Sequence, residues 1–397
     1  LPCTDCILQI FHWGPLLALS VIIIISWMTV VCDLMWWPIT SIGGCVNLLV
    51  FLILVGLTFY NYFRAALLGP GFVPYGYKPK NESDCDKLQY CQVCEGYKTP
   101  RSHHCRKCER CVMKMDHHCP WINTCCGHLN HCSFIWFLFF APCGCIHAIF
   151  ILIPSIYRAL NFHWYLYYRR EEPLVELGIV GFICTMFAIG LAIGVVIAVG
   201  MLFYIQFKSV WKNETGIENW IIEKAEDRLR GEDEEEEFIY PYNLGWKENL
   251  RQVFTFTGRP KSDGITWQVV DGCDQFTFTI EQKHQKAEKR ERTVEYTIIS
   301  NYGGSLFPIT KGCKVMYCIP CTDEPRIPVI TGDHVLVTRW KKLFPCGVFP
   351  CGVFPCGVFP CSLVARHKDN EPLFFNVPVP IGCSQGTCGL VHGTCGL

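Results

Sequence analysis

The chain is expected to fold as an α-helical polytopic membrane protein. It should have four transmembrane helices, a cytosolic zinc-binding cysteine-rich domain between the second and third, and a partial β domain near the C-terminus. Three observations carry this expectation. Half of the 397 residues are hydrophobic and mean hydropathy is +0.23, more apolar than a water-soluble enzyme sustains over its whole length. Four stretches are continuously apolar for the ~20 residues that a helix needs to cross the hydrocarbon. Between residues 91 and 125, Cys and His recur at the short spacings typical of zinc ligands.

The spans come first in chain order. Residues 1–13 carry no Lys or Arg, so no basic leader precedes the first apolar run. The chain opens on Leu1 rather than Met, and the true N-terminus is expected to lie elsewhere. The first span is expected over about 15–37, with Trp36 and Trp37 at the far interface, where indole rings are favoured. A short turn over 38–44 leads to a second span over about 45–63, closed by Arg64. The third is expected over about 133–157 and the fourth over about 177–207. Gly178, Gly181, Gly190, Gly194 and Gly200 recur through the fourth, as small residues do where membrane helices approach closely. His147 lies within the third span and is read as a packing residue.

The loop over 64–132 holds ten Lys and Arg, so by the positive-inside rule it faces the cytosol, and parity puts both termini there as well. The 28 cysteines agree with that placement, since thiols at metal spacing must stay reduced. Zero formal net charge argues against nucleic acid as the main partner.

The loop is organised around nine candidate ligands: Cys91, Cys94, His104, Cys105, Cys108, Cys111, His118, Cys119 and Cys125. Two closed tetrahedral sites need eight, so one is left over. Cys119 is the telling candidate, because Asp116, His117 and His118 stand directly before it. A free thiol titrates near ~8.5 and is mostly protonated at neutral pH. An adjacent imidazole, His117, can take that proton, and a carboxylate, Asp116, can hold the imidazole in the right tautomer.

The run Asp116-His117-His118-Cys119, with its cysteine-rich lead-in and the following Pro120-Trp121, resembles the DHHC family of protein S-acyltransferases. The resemblance implies that Cys91, Cys94, His104 and Cys111 hold one structural Zn2+, and that Cys105, Cys108, His118 and Cys125 hold the other. It implies further that Cys119 takes a fatty acyl group, most often palmitoyl, from acyl-CoA and passes it to cysteines of membrane-associated proteins. His117 and Asp116 would serve that chemistry. The alternative is a non-catalytic, zinc-stabilised membrane adaptor that is itself acylated. A RING-type ubiquitin ligase fits poorly, since His104 and Cys105 are adjacent and all ligands fall within 35 residues.

Further elements extend the resemblance. Gly69-Pro70-Gly71 stands where the family has Asp-Pro-Gly, and Thr215-Gly216-Ile217-Glu218 where it has Thr-Thr-x-Glu. Thr215 and Glu218 would brace the catalytic loop while forming a capping box for the next helix. Asn249 would pack or hydrogen-bond near the fourth span. Arg101, Arg106, Lys107, Arg110 and Lys114 are candidates to meet the phosphates of acyl-CoA. The acidic run over 232–237 reads as a solvated linker.

From about 291 the texture turns to strand-like alternation. Together with Tyr302, Gly303, Gly304 and the run over 320–327, this resembles the first half of an SH3-like barrel, which certain endoplasmic-reticulum members of the family carry. Residence in that membrane, or alternatively the Golgi, follows from the resemblance alone. Cys313, Cys318 and Cys321 are candidate acylation sites or idle thiols. After Lys342 a Phe-Pro-Cys-Gly-Val repeat of period five runs to Cys361, and Gly-Thr-Cys-Gly-Leu recurs near the end; no fold is expected there, and an SH3 ligand is doubtful. The expected domains are 1–63, 64–132, 133–207, 208–290, 291–342 and an aberrant tail over 343–397.

Overall fold

Among the described residues, helix α1 (Trp13–Trp36), α2 (Ile42–Leu67) and α3 (His131–Leu160) are three of four helices long and apolar enough to cross a membrane. A short helix, α4 (Phe162–Tyr168), separates them from the fourth, α5 (Gly178–Lys212). The computed structural model describes residues 9–231, 238–291, 293–298, 301, 328–339, 363–367, 372–375 and 381–382. The run at 232–237, Tyr302 to Gly304, the segment 320–327, Cys313, Cys318, Cys321 and the period-five repeat lie outside them.

The helices run past the apolar stretches that announce them, because backbone hydrogen bonding continues beyond the hydrocarbon edge until a stop signal is met. In α2 the start is Ser41, whose Oγ accepts from Gly44 N at 3.0 Å. In α5 the stop is Asn213, left-handed at φ 54°, a conformation that Asn tolerates. Helix α3 packs against each of the other three spans. Deeper in the bundle, Asn47 on α2 donates to Asp33 on α1 at 2.8 Å, satisfying a buried carboxylate within apolar surroundings. His147 stacks on Phe51 with ring centroids 5.6 Å apart, as a packing residue should.

One expectation about the bundle fails. A side chain added at Gly178, Gly190, Gly194 or Gly200 would meet nothing within 4 Å, so these glycines do not mediate close helix approach. The fully buried small residues of α5 are Ala188 and Ala192 instead. Glycine recurrence marks a permissive face; packing had to be read from which small residues share the buried stripe.

After α5 the chain forms α6 (Gly216–Gly231), α7 (Trp246–Val253) and α8 (Thr277–Glu291). Thr215 and Glu218 do form a capping box: Glu218 N donates to Thr215 Oγ1 at 3.2 Å, and Thr215 N to Glu218 Oε2 at 2.9 Å. Asn249 on α7 donates to the carbonyl of Trp211 at 2.8 Å, satisfying an acceptor in the last turn of α5.

The cysteine-rich loop is joined to this post-span region by a buried ion pair. Arg101 Nε and Nη2 donate to Glu218 Oε1 and Oε2, both at 2.7 Å, and neither side chain has exposed surface. The remaining guanidinium donors reach Asn213 Oδ1 at 3.1 Å and Asn213 O at 2.7 Å. The guanidinium carbon lies 4.4 Å from the Tyr242 ring centroid and 4.6 Å from that of Trp267. Lys114 Nζ donates to the same Asn213 Oδ1 at 2.7 Å, and burial and the neighbouring Arg101 charge bring it down to about 7. Burial acts to raise Glu218, but the Arg101 charge outweighs it and holds the carboxyl below its usual value. Arg101 and Lys114 are therefore buried structural side chains, and the expectation that they meet donor phosphates is corrected. Arg106 and Lys107 keep exposed positions.

The chain divides into two compact units, Leu1–Gln282 and Lys283–Leu397. The second contains an antiparallel five-stranded sheet in the order β10-β9-β8-β7-β11, with β7 (Val294–Ile298), β8 (His334–Arg339), β9 (Leu363–His367), β10 (Pro372–Phe375) and β11 (Ile381–Gly382). Three of these strands lie beyond residue 342, where no fold was expected.

Removing one member of a buried ion pair leaves an uncompensated charge and costs about 3–5 kcal/mol. Glu218→Ala should therefore lower the melting temperature of the detergent-solubilised protein markedly, whereas Glu223→Ala, on the same helix with a neutral partner, Asn219, should not. Equal melting of the two variants would show that the pair does not hold the loop.

Candidate active site

Three small hairpins build the cysteine-rich loop: β1–β2 (Tyr90–Cys91, Gly96–Tyr97), β3–β4 (His103–Cys105, Arg110–Val112) and β5–β6 (His117–Cys119, Thr124–Cys126). Their registers are equivalent. Cys91 pairs with Gly96, Cys105 with Arg110 and Cys119 with Thr124. The three cysteines stand 14 residues apart, and each turn closes through a left-handed residue four places on: Glu95, Glu109 and Asn123, with φ of 50°, 54° and 49°.

This repetition determines which residues meet. The first hairpin contributes Cys91 and Cys94 from its turn, and the second adds His104 and Cys111 from its two strands. The second hairpin's own turn contributes Cys105 and Cys108, and the third adds His118 and Cys125. Within each quartet the ligand atoms all lie within 4.8 Å of one another. His104 Nδ1 is 3.5 Å from both Cys91 Sγ and Cys94 Sγ; His118 Nδ1 is 3.4 Å from Cys108 Sγ, which is 3.5 Å from Cys125 Sγ. Tetrahedral coordination with bonds of ~2.3 Å to sulfur and ~2.0 Å to nitrogen gives donor separations of about 3.5–3.8 Å, so both quartets fit a single metal ion.

The third hairpin has the same turn, but among the described residues no further hairpin completes a site on it. Its first turn position is Cys119, and the place of the second turn cysteine is taken by Ile122. Cys119 is thus a turn thiol without a ligand quartet. Cys126, His117 and the Trp121 backbone N–H are the neighbours that act on its sulfur. The Cys126 contact lowers the Cys119 pKa, burial raises it, and the His117 charge lowers it again, to about 5. His117 is brought down by burial but raised further by Asp116 and Cys119, to about 10. Both shifts favour transfer of the Cys119 proton to His117.

Asp116 orients this pair. Its Oδ2 accepts from His117 Nδ1 at 2.6 Å and from Gln206 Nε2 at 2.9 Å; its Oδ1 accepts from Gly216 N at 2.7 Å. Burial would raise the carboxyl, but the His117 hydrogen bond and charge hold it well below its usual range. The donor at position 216 is a backbone N–H, so glycine there preserves the contact that the Thr-Gly-Ile-Glu run makes. Gln206 was not singled out in the sequence; a lone Gln near the end of an apolar span was its only signal.

The site opens onto the membrane helices. Cys119 belongs to an apolar cluster with Tyr62 and Ala66 of α2 and Phe134, Leu138 and Ala141 of α3. Tyr62 OH donates to Trp121 O at 3.0 Å. At the first turn of α1, a Cβ on Gly14 would collide with Pro120 O, so only glycine allows that approach. Deeper between the spans, Ile22, Ile25, Phe51, Gly144 and Val195 line an apolar cavity, and the Ile22 and Ala141 side chains are shared between it and the Cys119 cluster.

The family model for DHHC palmitoyltransferase matches residues 84–223. Palmitoyltransferase ZDHHC6 of Homo sapiens is 49% identical over 345 residues, covering 83% of each chain. The Danio rerio protein of the same name is 47% identical over 352 residues, 85% of each chain. Probable protein S-acyltransferase 16 of Arabidopsis thaliana is 32% identical over 237 residues, 55% of this chain and 76% of its own. With its four spanning helices and its paired metal-ligand quartets, the chain belongs to the DHHC palmitoyltransferase family.

Proposed function

We propose that this protein S-palmitoyltransferase works through an acyl-enzyme on Cys119, taking the acyl group from palmitoyl-CoA and delivering it to cytosolic cysteines of membrane-associated proteins. The observation that carries this reading is the convergence of Asp116, His117 and Cys119 beside an apolar cluster whose Ile22 and Ala141 side chains also line a cavity between the spans. The acyl chain would lie in that cavity, which aligns the thioester carbonyl with the sulfur.

The two steps balance. Cys119 thiolate attacks the donor carbonyl, forming one C–S bond as the bond to CoA sulfur breaks, and His117 Nε2 gives its proton to the departing CoA thiolate. His117, now neutral, takes the proton of an acceptor cysteine, whose thiolate attacks the Cys119 thioester and releases Cys119. One thioester replaces another at each step, so rate must come from orientation and charge placement. Asp116 keeps His117 Nδ1 protonated throughout, leaving Nε2 to work.

Two structural Zn2+ ions complete the reading, one held by Cys91, Cys94, His104 and Cys111 and the other by Cys105, Cys108, His118 and Cys125. They would hold the hairpins in register and take no part in acyl transfer. The basic loop supports a cytosolic active site with both termini on that side, and the family likeness supports residence in the endoplasmic reticulum. The same reading keeps the domain limits set out from the sequence as far as 290 and an SH3-like character for the segment that follows, but not the limit at 342, because the five-stranded sheet pairs strands on both sides of it.

Purified protein incubated with labelled palmitoyl-CoA should acquire hydroxylamine-labile label, and Cys119→Ser should lose it with metal content unchanged. Equal labelling of both would place the acyl groups on other cysteines and favour an acylated adaptor. Elemental analysis should find about two zinc ions per chain. Stripping them with a strong chelator should abolish labelling and lower the melting temperature. Full labelling by metal-free protein would refute the structural role of zinc.

A further inference from the structure

Gln206 and His131 are two of the buried polar side chains on the spanning helices that the mechanism above does not use. Gln206 lies near the cytosolic end of α5 and is 5% exposed; His131 is the first residue of α3 and is 3% exposed. Polar groups at such positions are costly unless fully paired, and an apolar residue would serve packing alone. Their side chains form a single chain leading to one atom: His131 Nε2 lies 3.0 Å from Gln206 Oε1, and Gln206 Nε2 lies 2.9 Å from Asp116 Oδ2.

The direction of this chain is fixed by chemistry. Asp116 Oδ2 can only accept, so the amide nitrogen of Gln206 must face it, and the amide oxygen must face His131. That oxygen accepts in turn, so His131 carries its proton on Nε2. The carboxylate oxygen that takes the His117 proton donor at 2.6 Å is therefore also gripped from the membrane side, while Gly216 N holds Oδ1. Three anchors on two oxygens leave the carboxylate no freedom to rotate out of the plane that His117 needs.

We propose that Gln206 and His131 are positioning residues for acyl transfer, fixing the Asp116 carboxylate against the ends of the third and fourth spans. Gln206 acts on Asp116 directly and His131 acts through Gln206. The zinc hairpins set where the Asp116 backbone lies; this chain sets how its carboxylate is turned. The inference rests on the Asp116–His117–Cys119 reading above.

The test is single-turnover acyl-enzyme formation from labelled palmitoyl-CoA, measured against donor concentration in the full-length protein. Gln206→Met keeps side-chain length and removes the donor. It should slow the saturated rate about tenfold, the effect of one charged hydrogen bond, with half-saturation unchanged and zinc content and melting temperature retained. His131→Phe should show a smaller loss, and His131→Gln, which restores an N–H donor, should recover most of it. The double variant Gln206→Met/His131→Phe should be no slower than Gln206→Met, because the hydrogen-bonded path from His131 to Asp116 runs through Gln206.

A wild-type saturated rate in Gln206→Met would overturn the proposal. So would a loss confined to half-saturation, a loss that tracks falling zinc content or melting temperature, or losses that add in the double variant. Cys119→Ser, run alongside, separates this failure from that of the underlying reading. If it still forms the labile adduct, the acyl-enzyme assignment itself is wrong; if it does not, a normal Gln206→Met sinks only the positioning role.

Discussion

The carboxylate of Asp116 is the point on which the rest of this site depends. It is buried and anionic, and it receives N–H donors from the cysteine-rich loop, from the fourth span and from the segment after that span. An unpaired buried carboxylate would be untenable, so its ionised form requires all three parts to be in place. The same requirement joins the membrane bundle to the cysteine-rich loop. The Arg101–Glu218 pair and the Lys114–Asn213 contact reinforce that junction from the far side.

The metal-ligand quartets reach the same residues by another route. A hairpin of one design is used three times, and each of the first two has its turn cysteines completed by the strands of the next. The third hairpin supplies ligands to its predecessor and keeps its own turn thiol uncommitted. Cys119 therefore inherits the rigidity of a metal-site turn without being consumed as a ligand. Its neighbour His118 points to the second quartet, while His117 alternates to the opposite side of the short strand, toward Asp116.

Much of this was legible in the sequence, for physical reasons. Membrane spans need long apolar runs, so all four were visible, although their ends were not, because caps such as Ser41 and Asn213 lie outside the runs. The composition of the quartets could be counted from spacing. Their interleaved membership rested on family likeness, although the 14-residue recurrence of Cys91, Cys105 and Cys119 held the same information. Charge was less readable than spacing: Arg101 and Lys114 look like surface cations in a list, yet both are buried by partners more than ninety residues away. Gln206 and His131 were invisible for a similar reason, since a polar residue at the end of an apolar helix declares its role only when its distant acceptor is known. The recurring glycines of the fourth span misled because they mark absent side chains, while close packing there is made by Ala188 and Ala192.

The most direct test of the account is the rate of single-turnover acyl-enzyme formation in Asp116→Asn. The amide is isosteric, so the hairpins and both metal quartets should persist, but it cannot hold His117 in the charged, correctly oriented state. The rate should fall by roughly 100-fold or more, with zinc content and melting temperature close to wild type. Acyl-enzyme formation at the wild-type rate in a variant that retains its zinc would contradict the account at its centre.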